Sequence, residues 1–471
     1  MQAVNKREFI LTGNLRKVIW TVSLPLMLNN LIQTVYNLTD SMFITRIDPL
    51  AMGAVSFLFP LIQINIAFCI AFSSAGMSLI AQYIGAGKPK RARQTAAQLV
   101  ILAFFICIGV LAFSYLFGPK LASLMGLEGI MYEYGMDYFL VVLLEVPFMF
   151  IMNIYNAIRQ GQGDTVSPMV YTVASVALNI ALDPLFMFVF GWGVRGAAIA
   201  TVLSRALVCI PEVFTVMTAR QGIRLVPASI KIDKPIMKNL ASIGIPATIG
   251  ETITSFGFLL LNFFIISYGD NTITAFAIGN RLLNIIMMPI MGLGSGLAII
   301  IGQHLGAQNV PRAKKAVKEC MISGSVIMFL GGLLLVATAK WTVGFFAGEN
   351  AEIFSQAVTY INYLGYTNVF LAIFQNFLGI FQGSGQSKTI MFLSLARLWL
   401  IRIPMILLLG KITSLGETSI WISMSFSNLI IIFICYFIYK KGKWEKGKIS
   451  EDTERMVEQE SGRSKEGGSN E

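Results

Sequence analysis

Two aspartates in long apolar runs are the residues of this chain best suited to chemistry. Asn29, Gln33, Tyr36, Asn37 and Asp40 recur at intervals of three and four, which places them on one helical face. Asn179 and Asp183 form an i, i+4 pair just before Pro184, and Thr201 lies near the outer end of the next apolar run. Ionisable groups at membrane depth cost at least ~2.5–3.5 kcal/mol each on insertion scales, so they mark functional positions by default. Two carboxylates, an amide and a hydroxyl at one level can hold a proton or, through hard oxygen ligands, a sodium ion. Asp40 and Asp183 are expected to lie close enough to disfavour ionising together. The plainer reading is polar glue between helices, which serves Asn179 or Thr201 alone equally well. It serves the aspartates less well, because a charge costs more to bury than an amide.

Thr248, Glu251, Thr252, Ser255 and Asn262 make a second stripe, in which Glu251 could bind a cation or a cationic substrate. Glu145 shares a face with Tyr138. Glu212 follows Pro211 near the end of its run and is expected near water. Arg397 and Arg402 are expected to snorkel or to pair with a carboxylate. Met287, Met288 and Met291 either fill space between helices or line a cavity that adapts to varied ligands. The single histidine, His304, cannot build a metal cluster and is read as structural, and the five cysteines, without CxxC spacing, read as small core hydrophobes. Pro25, Pro60, Pro147, Pro246, Pro289 and Pro404 sit inside apolar runs, where each removes a backbone hydrogen bond; Pro25 and Pro246 are the expected hinges. Gly292, Gly294 and Gly296 do not form a nucleotide loop, since no strand precedes them, and without a Walker motif direct use of ATP is not expected.

The elements that must position these residues are membrane helices. Of 471 residues, 55% are hydrophobic and 13% charged, about half the charge of a soluble domain. About 20 apolar residues cross a hydrocarbon core, and runs cut by charge, Gly and Pro give twelve spans. They fall near 17–45, 51–80, 95–117, 134–158, 167–190, 197–218, 239–267, 272–303, 317–346, 355–380, 390–410 and 418–439. The fold expected is an all-α polytopic membrane protein, with no cleaved signal peptide before the first span. Of the 36 Lys and Arg, Arg46, Lys120, Arg195, Lys340 and Lys411 fall in loops after odd-numbered spans and Arg205, Arg281, Arg397 and Arg402 within spans. The other 27 lie in the amino-terminal arm, the remaining loops and the tail. By the positive-inside rule both termini are cytoplasmic, at the plasma (inner) membrane. The net charge of +11 therefore points to a membrane surface and not to nucleic acid.

The chain also repeats itself. Gln82-Tyr83-Ile84-Gly85-Ala86 recurs as Gln303-His304-Leu305-Gly306-Ala307, Pro25 as Pro246, and Gln160-Gly161-Gln162-Gly163 as Gln382-Gly383-Ser384-Gly385. Six spans per half is an even number, so both halves enter from the same side and form two parallel, pseudo-symmetric six-helix lobes with a site between them. The expected organisation is a cytoplasmic arm at 1–16, an N-lobe at 17–218, an inter-lobe loop at 219–238, a C-lobe at 239–440 and a disordered tail at 441–471.

These residues resemble the multidrug and toxic compound extrusion (MATE) family, and most closely its DinF-like prokaryotic branch. The resemblance rests on LPLMLNNLIQTVYNLTDSMFI in the first span, AQYIGAGKPKRAR and its repeat GQHLGAQNVPRAK, RQGQGDTVSPM and ALNIALDPLFMF, and covers residues from about 10 to 440. It implies secondary antiport without a cofactor: organic cations and amphipathic compounds leave the cell as protons or sodium ions enter. It also implies a cation-coupling site at Asp40, Asn179, Asp183 and Thr201, with Tyr138 beside it; any sodium would sit on the first four. The substrate cavity is expected from Gln33, Tyr36, Asn37, Glu251, Ser255, Met287 and Met291. The acidic pair of other branches is only partly echoed, because Gln375 and Asn376 offer no carboxylate opposite Glu251. The expected partners are small-molecule drugs and the bilayer, and the expected state is a monomer. The alternative is a lipid-linked oligosaccharide flippase of the same superfamily, which lines its cavity with more cationic residues. A major-facilitator transporter would carry an Asp that IGAGKPKRAR lacks, and a membrane enzyme would need a catalytic cluster that is not seen.

Overall fold

A computed structural model describes residues 3–47, 49–219, 222–225, 232–348 and 350–449. Lipid offers no partner for backbone N–H and C=O groups, so apolar runs of this length close their hydrogen bonds internally as helices. Among the described residues, twelve helical segments are long and apolar enough to cross a membrane, which makes the chain a multi-pass membrane protein.

A short helix, α1 (Ala3–Thr12), precedes the first span, α2 (Leu15–Ile47). Then come α3 (Pro49–Gly85), α4 (Pro89–Leu124), α5 (Gly129–Val142), α6 (Val146–Gly161), α7 (Val166–Pro184) and α8 (Gly193–Met217). The second half has α9 (Lys234–Ile266), α10 (Asp270–Gly306), α11 (Val310–Ala347), α12 (Ala351–Gly383), α13 (Ser387–Leu395), α14 (Ile403–Ile412) and α15 (Thr418–Lys440). Side-chain oxygens of Asp233, Asn309 and Asn350 cap α9, α11 and α12.

Among the described residues three spans are interrupted, and none of these interruptions is at the expected hinges. A 3₁₀ turn, Leu143–Glu145, separates α5 from α6 just before Pro147. A π-helical turn, Leu185–Val189, follows Pro184, and a second, Ala396–Arg402, joins α13 to α14. The helices run on through Pro25 and Pro246.

The lobes meet where α2 packs on α10 and α3 on α9 and α10. The glycine run explains the close approach of α2. A Cβ at Gly292 would collide with the Met27 backbone and one at Gly296 with Ser23, while Gly294 adjoins Gln375 and Gly379 on α12. The repeat extends to backbone detail: Gly87 and its counterpart Gln308 are both left-handed (φ 69° and 56°), as are Gly163 and Gly385 (82° and 79°).

At the end of the bundle that carries α1, termed here the arm end, the lobes are stitched together. Arg7 donates to the carbonyls of Ile84 and Gly85, both at 2.8 Å. Lys6 pairs with Asp164 at 3.0 Å, and Arg312 donates to Gly13. The start of the tail, expected to be disordered, is instead folded here. Residues 443–445 form a 3₁₀ turn, Trp444 is buried against Tyr439, Glu445 pairs with Lys314, and Ile449 N–H donates to Gln82 Oε1 at 3.2 Å. Its aromatic and apolar residues supply the burial that the charged composition hides. Residues 450–471 lie outside the described residues.

Candidate functional site

The interruptions place the polar residues of the N-lobe. Asp183 is the penultimate residue of α7, on the turn that Pro184 and the π-turn reshape, and it is fully buried. Asn179, one turn earlier, donates from Nδ2 to Asp183 Oδ1 at 3.1 Å and to Thr201 Oγ1 of α8 at 3.3 Å. Thr201 in turn lies 3.3 Å from the Tyr36 hydroxyl of α2. Asp40, one turn beyond Tyr36, is close enough to Asp183 to interact with it electrostatically, and Tyr138 of α5 is buried beside both. The five residues expected in one coupling site are therefore brought together.

Three oxygens in this cluster are buried without a donor: Asp40 Oδ1, Asn179 Oδ1 and Asp183 Oδ2. Buried polar atoms ordinarily find partners. Three unpartnered acceptors in one cluster, two of them on carboxylates, are oxygens that a proton or a hard monovalent cation would satisfy, so the chemistry of these residues fits either ion.

Sequence reasoning missed the ion pair beside this cluster. Arg205 of α8 meets Glu145 at 2.6 Å, with little exposure of either side chain (21% and 12%). The break before Pro147 puts Glu145 at the end of a 3₁₀ turn, from which it reaches α8. The signals were a proline two residues after a lone span glutamate and a lone arginine in a nearby span.

Two cavities lie along the lobe boundary. The outer, of about 610 Å³, lies between α2 and α10 toward the end opposite the arm and is lined by Asn37, Ser41, Arg46, Arg281, Asn284 and Met288, among others. The inner, of about 260 Å³, includes Asn30, Ser74, Glu251, Met291, Gln375 and Gln382. The expected substrate residues thus divide. Asn37 lines the outer cavity, and Glu251 and Met291 the inner. Tyr36 belongs to the polar cluster around Asp183, and Gln33 is half-buried on the same helix. Ser255 turns its hydroxyl back to the Glu251 carbonyl at 3.0 Å. Met287 is a correction: it is buried against Ile290, Met328 and Ala372, because one residue is a rotation of 100° and the cavity face carries Met288 and Met291.

Two further expectations are corrected. Glu212 is not near water but 1% exposed. Arg397 and Arg402 neither snorkel nor meet a carboxylate among the described residues. Arg397 lies over the Phe374 ring at 4.8 Å, and Arg402 donates to Ser427 Oγ and Asn428 Oδ1, both at 2.9 Å. His304 is fully buried, with Nδ1 2.8 Å from the Ile300 carbonyl.

Comparison with known proteins agrees with the twelve-helix fold. The chain is 24% identical over 441 residues to the probable multidrug resistance protein YpnP of Bacillus subtilis, covering 93% of this chain and 97% of the relative. It is 26% identical to the probable multidrug resistance protein NorM of Thermotoga maritima (92% and 94%) and 24% identical to the multidrug export protein MepA of Staphylococcus aureus (94% and 96%). Its fold superposes with a TM-score of 0.88 on a crystal structure of MATE in complex with MaL6, at 23% identity over 93% of this chain and 98% of that one. The same score is reached with an outward-facing multidrug resistance MATE transporter of the MOP superfamily, at 24% identity over 92% and 97%. The MatE family model matches twice, over 25–185 and 246–408, once in each lobe, and the chain belongs to the MATE family of transporters.

Proposed function

We propose that this protein is a secondary active multidrug efflux antiporter that exports organic cations and amphipathic compounds in exchange for protons or sodium ions. The observation that carries the reading is the set of three donorless buried oxygens on Asp40, Asn179 and Asp183. An ion bound there balances a charge that the lobe itself leaves unbalanced, because the cation beside the cluster, Arg205, is held by Glu145. Binding removes a buried charge and lets α2 shift against α7 and α8, which narrows the N-lobe side of the boundary and expels a cationic substrate. Substrate and ion then disfavour each other's binding, as an exchanger requires. Glu251 supplies the substrate's counter-charge in the inner cavity. The names of YpnP, NorM and MepA support the drug-efflux reading.

The charge count supports cytoplasmic termini, and the reading is of a monomer at the plasma membrane. In that orientation the arm end is the sealed, inner one. The flippase alternative is favoured by one observation: Arg46 and Arg281 line the outer cavity. The deciding experiment is transport in proteoliposomes under an imposed pH or sodium gradient. Gradient-driven movement of a cationic dye such as ethidium is expected; movement of anionic or lipid-linked cargo alone replaces this reading with the flippase.

A further inference from the structure

At the arm end, the two ends of the described chain cover equivalent turns of the two lobes, and the turns differ in one charge. In the N-lobe, Gln160-Gly161-Gln162-Gly163 is followed by Asp164. Its carboxylate accepts from the Ser167 N–H and hydroxyl in the first turn of α7 and pairs with Lys6 of α1 at 3.0 Å. In the C-lobe, Gln382-Gly383-Ser384-Gly385 is followed by Gln386, whose neutral side chain makes no cap to α13. The covering is alike on both sides: a Cβ at Gly163 would meet Ile10 of α1, and one at Gly385 would lie 3.2 Å from Lys448 Cβ of the tail. Beside the second turn is an open cavity of about 490 Å³, lined by Lys388, Lys443, Lys446 and Lys448, by Ser242 of α9 and by the turn itself. Among the described residues no carboxylate lines it, and Glu445, between two of these lysines in sequence, pairs instead with Lys314 at 2.9 Å.

The tail is anchored by the burial of Trp444 and Ile449, so its lysines are gathered around the turn by apolar packing and not by an attraction of their own. Like charges about one concavity repel, and an anion among them offsets that cost. The N-lobe meets its single lysine with a built-in carboxylate, whereas the C-lobe has more lysines, no such carboxylate and room in its place. We infer that this cavity is a binding site for a phosphate group. Its several oxygens can meet Lys388 on one side and the tail lysines on the other, together with the N–H groups at the start of α13, which no side chain caps. A phospholipid headgroup and a water-soluble phosphate ester share this chemistry. The cavity's position near the ends of α9, α12 and α13 favours the lipid. The site shares no residue with the cluster around Asp183, and its occupation needs no gradient. It therefore stands or falls apart from the antiport reading.

The test follows hydrogen exchange of residues 443–449 in the full chain, in phosphatidylcholine nanodiscs without a gradient. Inorganic phosphate or dioctanoylphosphatidylglycerol is added at constant ionic strength. A ligand that bridges the tail to α13 should slow exchange saturably. Lys388→Gln with Lys443→Gln should raise the half-effective concentration at least about tenfold. Lys90→Gln with Lys315→Gln, which neutralises two exposed lysines elsewhere at the arm end, should leave it unchanged. Gln386→Asp supplies the carboxylate that the other lobe carries, so it should protect 443–449 without ligand and abolish the response. A response to dioctanoylphosphatidylglycerol at lower concentration than to phosphate assigns the site to a lipid headgroup, and otherwise to a water-soluble phosphate. The proposal is overturned by no saturable response to either probe, or by a response that survives Gln386→Asp. It is overturned equally if Lys388→Gln with Lys443→Gln leaves the response unchanged in a protein that melts like the wild type, or if the Lys90 and Lys315 substitutions weaken it as much.

Discussion

Gln82 and Gln303, the same position in the two repeats, donate across the lobe boundary in opposite directions. Gln82 Nε2 meets the Gly383 carbonyl at 2.9 Å, and Gln303 Nε2 meets the Gly161 carbonyl at 3.1 Å. The acceptors are themselves repeat partners, from Gln160-Gly161-Gln162-Gly163 and Gln382-Gly383-Ser384-Gly385. The repeated motifs thus bind one another as a reciprocal clasp that seals the arm end. Gly85 and Gly306 permit it, since a Cβ on either would strike the backbone of Gln303 or Gln82. An exchanger must open this clasp once per cycle. Removing both amides with Gln82→Ala and Gln303→Ala withdraws about 2 kcal/mol, roughly thirtyfold in the balance between closed and open. Spin labels at Lys90 and Lys315, exposed on opposite lobes, should report a longer mean distance in the double variant. An unchanged distance distribution would show that the clasp does not hold the lobes.

The Glu145–Arg205 pair makes a separate prediction about stability. Removing one partner leaves a largely buried charge alone, which costs about 3–5 kcal/mol, whereas removing both with apolar residues is close to neutral. Arg205→Leu should therefore lower the melting temperature of the purified protein sharply, and Glu145→Leu with Arg205→Leu should restore most of it. Equal losses in the single and double variants would mean that the residues matter for packing and not as a pair.

Orientation is tested by accessibility. Single cysteines at Lys88, Arg224 and Lys314 should react only with a reagent applied from the cytoplasm, and those at Lys120 and Lys411 only from outside. Reaction of the Arg224 position from outside would overturn the topology, because that loop joins the lobes.

The spans, the repeat and the clustering of the polar residues around Asp183 were legible because each rests on a strong local signal: length of apolar run, identity at a fixed offset, or a charged residue at helical spacing. Burial was not legible. A membrane helix is apolar on every face, so hydrophobic periodicity does not separate a core-facing side from a lipid-facing one. That is why Met287 was placed one residue out of register with the cavity and Glu212 was expected near water. The pairing of Glu145 with Arg205 depends on a 3₁₀ turn, and the folding of Trp444 and Ile449 on tertiary contacts that composition does not encode.

The arm end also carries a pH dependence. Asp164, in the loop between α6 and α7, is held below the usual carboxylate range: burial pushes it up, but the hydrogen bonds from Ser167 and the charge of Lys6 outweigh that. A carboxylate depressed in the folded state contributes stability that is complete above its unfolded value near 3.9 and is lost as pH falls through the lower folded value. Attachment of α1 should thus be constant from pH 7 to about 5 and weaken below about 4. Hydrogen exchange of residues 3–12 should show that acid sensitivity in the wild type and lose it in Asp164→Asn, where exchange is faster at every pH. Acid sensitivity unchanged by the substitution would place its origin elsewhere.

The last prediction concerns the aspartates themselves. If Asp40 and Asp183 carry the coupling ion, removing either charge by an isosteric amide breaks the exchange without breaking the lobe. Asp183→Asn keeps an acceptor for Asn179 and removes a buried charge that has no cation opposite it, so the variant should fold and melt at or above the wild-type temperature. Asp40→Asn should behave alike, because Asp40 Oδ1 has no donor to lose. Transport separates the two readings of the cluster. As polar glue, the residues act through hydrogen bonds that asparagine largely retains, so dye export under a pH or sodium gradient should stay near the wild-type rate. As ion ligands, they act through charge, and gradient-driven export should fall to background in each single variant, while binding of the dye without a gradient persists. The imposed gradient that drives the wild type then names the ion. Wild-type export rates in the double variant would end the coupling assignment and leave the cluster a packing device.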